Sequence, residues 1–258
     1  MITGRLFFPR ADSLHGFGPG PCSVQGPPGG LCVPANRGPR LRFTRREWSL
    51  TMGRDRLTDT SKKLSWLLRH AAPSQGVAMD DAGWVAVDDV LKALRISRPV
   101  LDEVVEKNTK NRLEIRGDRM RASQGHSRDG MPVTLAGLEA SWEEVHDDAS
   151  IWHGTSVDAV RGIARDGIRP AARTHVHCTD ALGSAVGKRA KVDVMLEISP
   201  ARLRARGVRV FRSQNGVILV REVPVQCLVG LLPIVARAQR EAEALRALLF
   251  GDGSRGAA

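Results

Sequence analysis

Residues 112–123 read Arg-Leu-Glu-Ile-Arg-Gly-Asp-Arg-Met-Arg-Ala-Ser. Two short runs, RLEIR and RMRAS, flank Gly117-Asp118, a pair suited to the positive-φ backbone of a tight hairpin turn. Working upstream from this hairpin, the chain carries helical patterns. In SKKLSWLLRHA (61–71), Leu64, Leu67, Leu68 and Ala71 share one face, the spacing of an amphipathic helix. Thr58 or Thr60 is placed to cap that helix, and Pro73 to end it. WVAVDDVLKALR (84–95) reads as a short extended piece followed by a helix capped near Asp88. Ser97 is placed to cap a third helix through VLDEVVEKN (100–108). Three helices followed by a hairpin predict a winged-helix-like lobe. Its recognition-helix position carries Asp102, Glu103 and Glu106, which would repel a DNA backbone.

Downstream, strands dominate. IWHGTS (151–156) reads as a strand entering a turn, and VDAVRGIARDG (157–167) as a helix closed by Gly167. HVHCT (175–179), VDVMLEIS (192–199), VRVFRS (208–213), GVILV (216–220) and VQCLVGLLPI (225–234) read as short strands, and 235–249 as one polar terminal helix. The predicted class is α+β. Gly and Pro cluster in residues 1–51, which carry seven arginines against Asp12 and Glu47 and no helical or alternating period. Such a segment buries too little apolar surface to offset its ordering entropy. The compositional break predicts either a disordered basic arm or a translation start at Met52, and the second reading is preferred.

The chain of 258 residues has a net charge of +11, with 39 Lys and Arg against 28 Asp and Glu. Only seven of the 39 are lysine. Guanidinium binds phosphate through paired hydrogen bonds that ammonium cannot match, although a GC-rich genome also favours arginine. No apolar run approaches the roughly 20 residues that span a bilayer, and Met1–Pro9 lacks the apolar core and cleavage pattern of a signal peptide. Cys22, Cys32, Cys178 and Cys227 form no CxxC pair, so a zinc site and a disulfide framework are poorly supported. A reducing, cytoplasmic compartment is expected.

Five of the seven histidines fall in compact polar motifs: Arg69-His70, Gln124-Gly125-His126-Ser127, His153-Gly154-Thr155 and His175-Val176-His177. Arg112 and Arg173 flank them. Taken alone, Arg69-His70 reads as a solvated helix end, Arg112 as a hairpin surface charge and His-Gly-Thr as a turn. His175 and His177 would share one face of a strand, a spacing compatible with metal, but no carboxylate or cysteine stands where it could complete the set, so no metal is expected. There is no GxGxxG after a strand, so a Rossmann site is not indicated. Trp66, Trp84 and Trp152 are read as core.

Taken together and in order, SKKLSWLLRH, GWVAVDDVL, NRLEIR, RASQGHS, WHGTS, RTHVHCT, FRSQNGVIL and the later Val-Pro resemble the RNA 2′-phosphotransferase family over about residues 58–230. Together with the compositional break and the terminal helical pattern, the resemblance divides the chain into four expected regions. Residues 1–51 are the extension and 52–145 a winged-helix-like RNA-binding lobe. An ADP-ribosyltransferase-type lobe over 146–235 binds NAD, and 236–258 form a terminal helix and tail. It implies removal of an internal RNA 2′-phosphate in two steps. The phosphate first attacks the nicotinamide ribose and expels nicotinamide. The ribose 2″-hydroxyl then attacks phosphorus, giving 2′-OH RNA and ADP-ribose 1″,2″-cyclic phosphate.

By the same resemblance, Arg69, Arg112 and Arg173 clamp the phosphate and His70 is the general base. Gln124, Gly125, His126 and Ser127 line the RNA-phosphate site. His153, Gly154 and Thr155 hold NAD, together with His175, His177, Ser213, Asn215, Gly216 and Val217. Protein-modifying relatives of this fold place a catalytic Glu in the strand that here holds Val217, and its absence suits a nucleophile that is already an anion. Two apolar departures, Cys178 where Leu is usual and Ile218 where an aromatic is common, leave the polar set intact. The expected partner is 2′-phosphorylated RNA acting with a monomer and no membrane. The rival readings are an ADP-ribosyltransferase that stops after one step, capping phosphorylated nucleic-acid ends, and a non-catalytic RNA-binding module.

Overall fold

A computed structural model describes residues 45–183 and 191–251, and of residues 45–55 the backbone alone. The expected extension therefore lies outside the described residues up to position 44, as does the tail over 252–258. Helix α1 spans Arg45–Trp66 and continues into a π-helical turn, Leu67–Ala71. This corrects the expected start. Thr60 is inside the helix, where its Oγ1 donates to the Arg56 carbonyl at 2.8 Å. Residues 45–57 contain no proline and one glycine, a cost of only about 1 kcal/mol in a helix interior, so nothing stops the helix from extending past its best capping residues.

After α1 come β1 (Val85–Ala86), α2 (Val87–Leu94) and α3 (Arg98–Glu106), then the hairpin strands β2 (Leu113–Arg116) and β3 (Arg119–Ala122). The hairpin turns at Gly117, φ +60°. Ala86, not Asp88, is the N-cap of α2; Asp88 and Asp89 sit in its first turn, where carboxylates favour the positive end of the dipole. The three strands pair antiparallel in the order β1–β3–β2. Leu64, Leu67, Leu68, Val90, Leu101 and Met120 are fully buried between helices and sheet. Trp66 is not core: it is 50% exposed. Trp84 is half-buried, with the Arg121 guanidinium 4.5 Å from its ring centre, and Trp152 is also half-buried.

A short helix that the sequence pattern did not predict follows, α4 (Leu135–Ala140), capped by Thr134, whose hydroxyl accepts from Gly137 N at 2.9 Å. The rest is built on two antiparallel sheets. β4 (Glu143–Glu144), β8 (Val210–Arg212), β9 (Ile218–Val220) and β6 (Val176–Cys178) form one, in that order. β10 (Leu228–Pro233), β7 (Val194–Ile198) and β5 (Ile151–Thr155) form the other. Helix α5 (Val157–Asp166) buries Val157, Val160 and Ile163 in the apolar core that both sheets share, and α6 (Pro200–Arg204) is a further short helix that was not predicted. The terminal helix is two, α7 (Ala236–Arg240) and α8 (Ala242–Phe250), meeting at Glu241. Over the described residues the chain is thus a mixed α/β protein with three small antiparallel sheets.

Candidate active site

Polar contacts stitch the two halves along one line. The π turn widens the end of α1, and the Arg69 carbonyl, which faces Pro73 with no N–H four residues on, accepts from the Ser127 amide at 2.9 Å. Next along the chain, Arg128 N donates to Ala172 O, and Thr174 N to His126 O. The Gln124–Ser127 loop is thereby zipped to the segment that carries Arg173 and His175 and leads into β6 with His177. Farther on, Asn215 Nδ2 donates to the Lys110 carbonyl at 3.1 Å, and Ser213 Oγ lies 2.8 Å from Asn215 Oδ1.

Beneath these contacts opens a cleft of about 660 Å³, within the range of small-molecule sites. It brings together Arg69, Arg112 and Arg173 with His153, Gly154 and Thr155 from β5. Gln124, His175, His177, Asn215 and Val217 also line it. Lys110 and Arg169 are cations on its wall that sequence reading missed. Both sit in loops, where no periodicity marks a residue. Among the described residues no carboxylate lines this cleft. Arg69 Nε and Nη2 are buried without an acceptor. Burial, followed by the Arg112 and Arg173 charges, pushes the Arg69 guanidinium down to about 10. A buried cation with like-charged neighbours and no counter-ion is costly unless an anion arrives. The residues therefore fit a phosphate-bearing ligand such as a dinucleotide.

The other expected residues fall into place as supports. His70 is exposed at the end of the π turn, and its Nδ1 lies 2.7 Å from Ser127 Oγ. Partial burial, Arg69 and Arg173 hold its pKa below the ordinary histidine value, so the ring is neutral near pH 7. It lines a second cleft that adjoins the first. His177 Nε2 donates to Gln124 Oε1 at 2.9 Å, and its Nδ1 is 3.5 Å from Arg173 Nη1. Burial, Arg173 and Arg69 push His177 down to about 3, which keeps Nδ1 free to accept. His153 Nδ1 donates to the His177 carbonyl at 2.9 Å.

His175 is buried, packed edge-on against Trp142 at 4.9 Å, with Nε2 at 3.2 Å from Glu139 Oε1. Arg221 holds the same carboxylate at 2.5 and 2.8 Å. Burial works against the Glu139 charge, but the hydrogen bonds from Arg221 and His175 keep its carboxyl below the usual range. Glu139 escaped sequence reading because its six-residue helix is too short to show a period.

Five of the expected residues, Gly125, His126, Ser127, Ser213 and Gly216, line neither cleft. His126 is fully buried with neither ring nitrogen bonded, and a Cβ on Gly83 would lie 2.7 Å from its Nε2. Gly125 (φ +93°) backs the Arg69 side chain, whose Nε would stand 3.4 Å from an added Cβ. Ser213 and Gly216 (φ +78°) shape the turn before β9. Among the described residues no group of three or more His, Cys, Asp or Glu is placed to hold a metal ion, and no helix is long and apolar enough to cross a membrane.

Comparison with known proteins bears on this arrangement. Residues 55–222 match the model of the family described as "RNA 2'-phosphotransferase, Tpt1 / KptA family". A protein of Rhizobium johnstonii named "Probable RNA 2'-phosphotransferase" is 35% identical over 178 residues, 66% of this chain and 92% of the relative. Proteins of the same name from Pyrococcus furiosus and Pseudomonas savastanoi are 32% and 36% identical, over 70% and 71% of this chain and 99% of each relative.

Proposed function

The chain belongs to the RNA 2′-phosphotransferase Tpt1/KptA family of transferases, and from that premise we propose that it removes an internal RNA 2′-phosphate at the expense of NAD, through an ADP-ribosylated RNA 2′-phosphate. The observation that carries this reading is the convergence of Arg69, Arg112 and Arg173 on a cleft without a carboxylate among the described residues. Charge builds on phosphoryl oxygens during the transfer, and fixed cations stabilise it without reorganisation. NAD supplies the electrophilic ribose carbon and the 2″-hydroxyl.

The chain's own residues bind, orient and move one proton. His153 and Thr155 on β5, with His175, His177, Asn215 and Val217, surround the dinucleotide. Gly154 packs flat, since a Cβ there would strike Val192 at 2.8 Å. Ser213 and Gly216 hold the turn that presents Asn215. The three arginines clamp the 2′-phosphate. Gln124 reaches them through His177, while Gly125, His126 and Ser127 hold the loop that backs Arg69 and His70. With its proton on Nδ1 shared with Ser127, the neutral His70 ring offers Nε2 as the base for the ribose hydroxyl.

Helices α1–α3 with the β1–β3–β2 sheet support a winged-helix-like RNA lobe over 52–145, and the two remaining sheets, apart from the short edge strand β4 (Glu143–Glu144), an ADP-ribosyltransferase-type lobe over 146–235. A cytoplasmic monomer acting without metal completes the reading. The test is incubation with NAD and an oligonucleotide bearing one internal 2′-phosphate, in EDTA. Release of nicotinamide and of ADP-ribose 1″,2″-cyclic phosphate is expected together with 2′-OH RNA. Unconsumed NAD and unchanged RNA would refute it.

A further inference from the structure

The second cleft, about 640 Å³, lies between the last turns of α1 and the loop that follows α3. It shares Arg69, Lys110 and Arg112 with the first cleft, so these three side chains form a wall between two chambers. No carboxylate lines the second chamber either, among the described residues, and Lys62 and Lys107 add positive charge to it. Those two lysines have exposed acids on their own helices, Asp59 and Glu103, but such pairs hold charge weakly.

The chamber also contains Trp66. It precedes Arg69 and His70 by one turn, and side chains at that spacing neighbour one another. It is 50% exposed, although it belongs to a segment whose neighbours Leu64, Leu67 and Leu68 are fully buried. Among the described residues no ring or guanidinium stacks on it. An indole left open at the rim of a cationic chamber is the pairing that single-stranded RNA uses: its phosphates meet the cations and a base lies on the ring. Ring stacking accepts any base, which suits an enzyme that reads a phosphate rather than a sequence.

Covalent geometry selects the occupant. The 2′-phosphate and the 3′-phosphodiester hang from adjacent ribose carbons, so holding the first at the wall brings the second beside it. With the dinucleotide filling the first chamber, the second chamber is the cationic path that adjoins the wall. We propose that the second chamber is a subsite for the nucleotide 3′ to the 2′-phosphorylated residue, with its base stacked on Trp66 and its phosphodiester met by Lys110. This rests on the reading of the wall arginines as the 2′-phosphate clamp.

The test is equilibrium binding without NAD, by fluorescence anisotropy of a short labelled RNA carrying one internal 2′-phosphate. The residue 3′ to it is either intact or abasic. Wild-type protein is expected to prefer the intact RNA by about tenfold, the effect of one stacked base. Trp66→Ala is expected to bind both RNAs alike, and Trp66→Phe to keep most of the preference. Because Trp66 is half exposed, Trp66→Ala is expected to melt with the wild type, and a folded Trp66→Ala with an undiminished preference would overturn the proposal. So would a Trp66-dependent preference for the 5′ base in its place. If omitting the 2′-phosphate leaves wild-type affinity unchanged while the Trp66 preference persists, the clamp reading fails and the stacking subsite stands.

Discussion

Replacing Arg69 with methionine is expected to make the protein more stable and to abolish its function. The Arg69 guanidinium is held at about 10 by burial, Arg112 and Arg173, against an ordinary arginine value of about 12.5 or above. At 1.36 kcal/mol per pKa unit that difference corresponds to about 3 kcal/mol by which the fold disfavours the charged form. For a base whose folded pKa lies below its unfolded value, the penalty is complete at every pH below about 10 and fades only as pH rises beyond it. Near pH 7 it is present in full. Because the group is partly open to solvent, screening reduces it to roughly half, about 1.5 kcal/mol. Methionine retains the apolar stem against Gly125 and removes the charge, and since Nε and Nη2 have no acceptor, no hydrogen bond is lost with them. For a domain of this size 1.5 kcal/mol corresponds to a rise in Tm of about 3–6 °C, measurable by calorimetry. Phosphate at millimolar concentration should raise the Tm of the wild type and leave that of Arg69→Met nearly unmoved, because the anion relieves the same repulsion. A folded Arg69→Met that melts below the wild type would refute the claim that this cation is uncompensated.

Other expectations follow from the same geometry. His70→Ala and Arg173→Ala should slow the second chemical step by roughly 10²–10³, so that a slower-migrating ADP-ribosylated RNA accumulates on gels; His153→Ala and Asn215→Ala should instead leave unreacted RNA, and the reverse pattern would void this assignment of roles. The acid limb of the pH–kcat/KM profile, which reports the free enzyme, should lie below pH 6.5, because partial burial, Arg69 and Arg173 lower the His70 pKa and the base is lost only on protonation; a limb above 7 would contradict a neutral His70. Gly125→Ala should cost about 1–2 kcal/mol, read from urea midpoints, because its φ of +93° strains any other residue; an unchanged midpoint would show that the loop relaxes freely.

The strongly patterned pieces of the chain could be read directly. The hairpin at Gly117, the buried face of Leu64, Leu67, Leu68 and Ala71, and the strand–turn–helix from Ile151 to Gly167 each have a period that one side of a core imposes. Short elements escaped for the opposite reason. Six residues of α4 and five of α6 complete too few turns to display a face, and the single terminal pattern hid a break at Glu241. Capping preference is a local signal, so Thr60 looked like a helix start although the helix was free to continue upstream. The motifs carrying Arg69, His153 and Asn215 could be found as clusters. What each side chain faces was fixed elsewhere: Gly83 lies 43 positions before His126 and leaves room for its buried ring, and Glu139 secures His175 from a helix that was not predicted.

The uncompensated charge at Arg69 and the open indole at Trp66 have one physical origin. Both lie at the end of α1, within a turn of the π-helical stretch Leu67–Ala71. A regular α-helix would direct successive side chains at 100° intervals; the wider turn re-aims the residues around it, and because the residue four positions on is Pro73, which has no N–H, the Arg69 carbonyl is left for Ser127 N. Leu67 and Leu68 still point into the core, so the turn is anchored by burial while its polar side projects between the two chambers. Stabilising that segment by making it regular would require moving either the leucines out of the core or the arginine off the wall. The Arg69 cation is thus held at the wall by packing rather than by a counter-ion, and the stability lost at Arg69 is compensated by the buried leucines beside it.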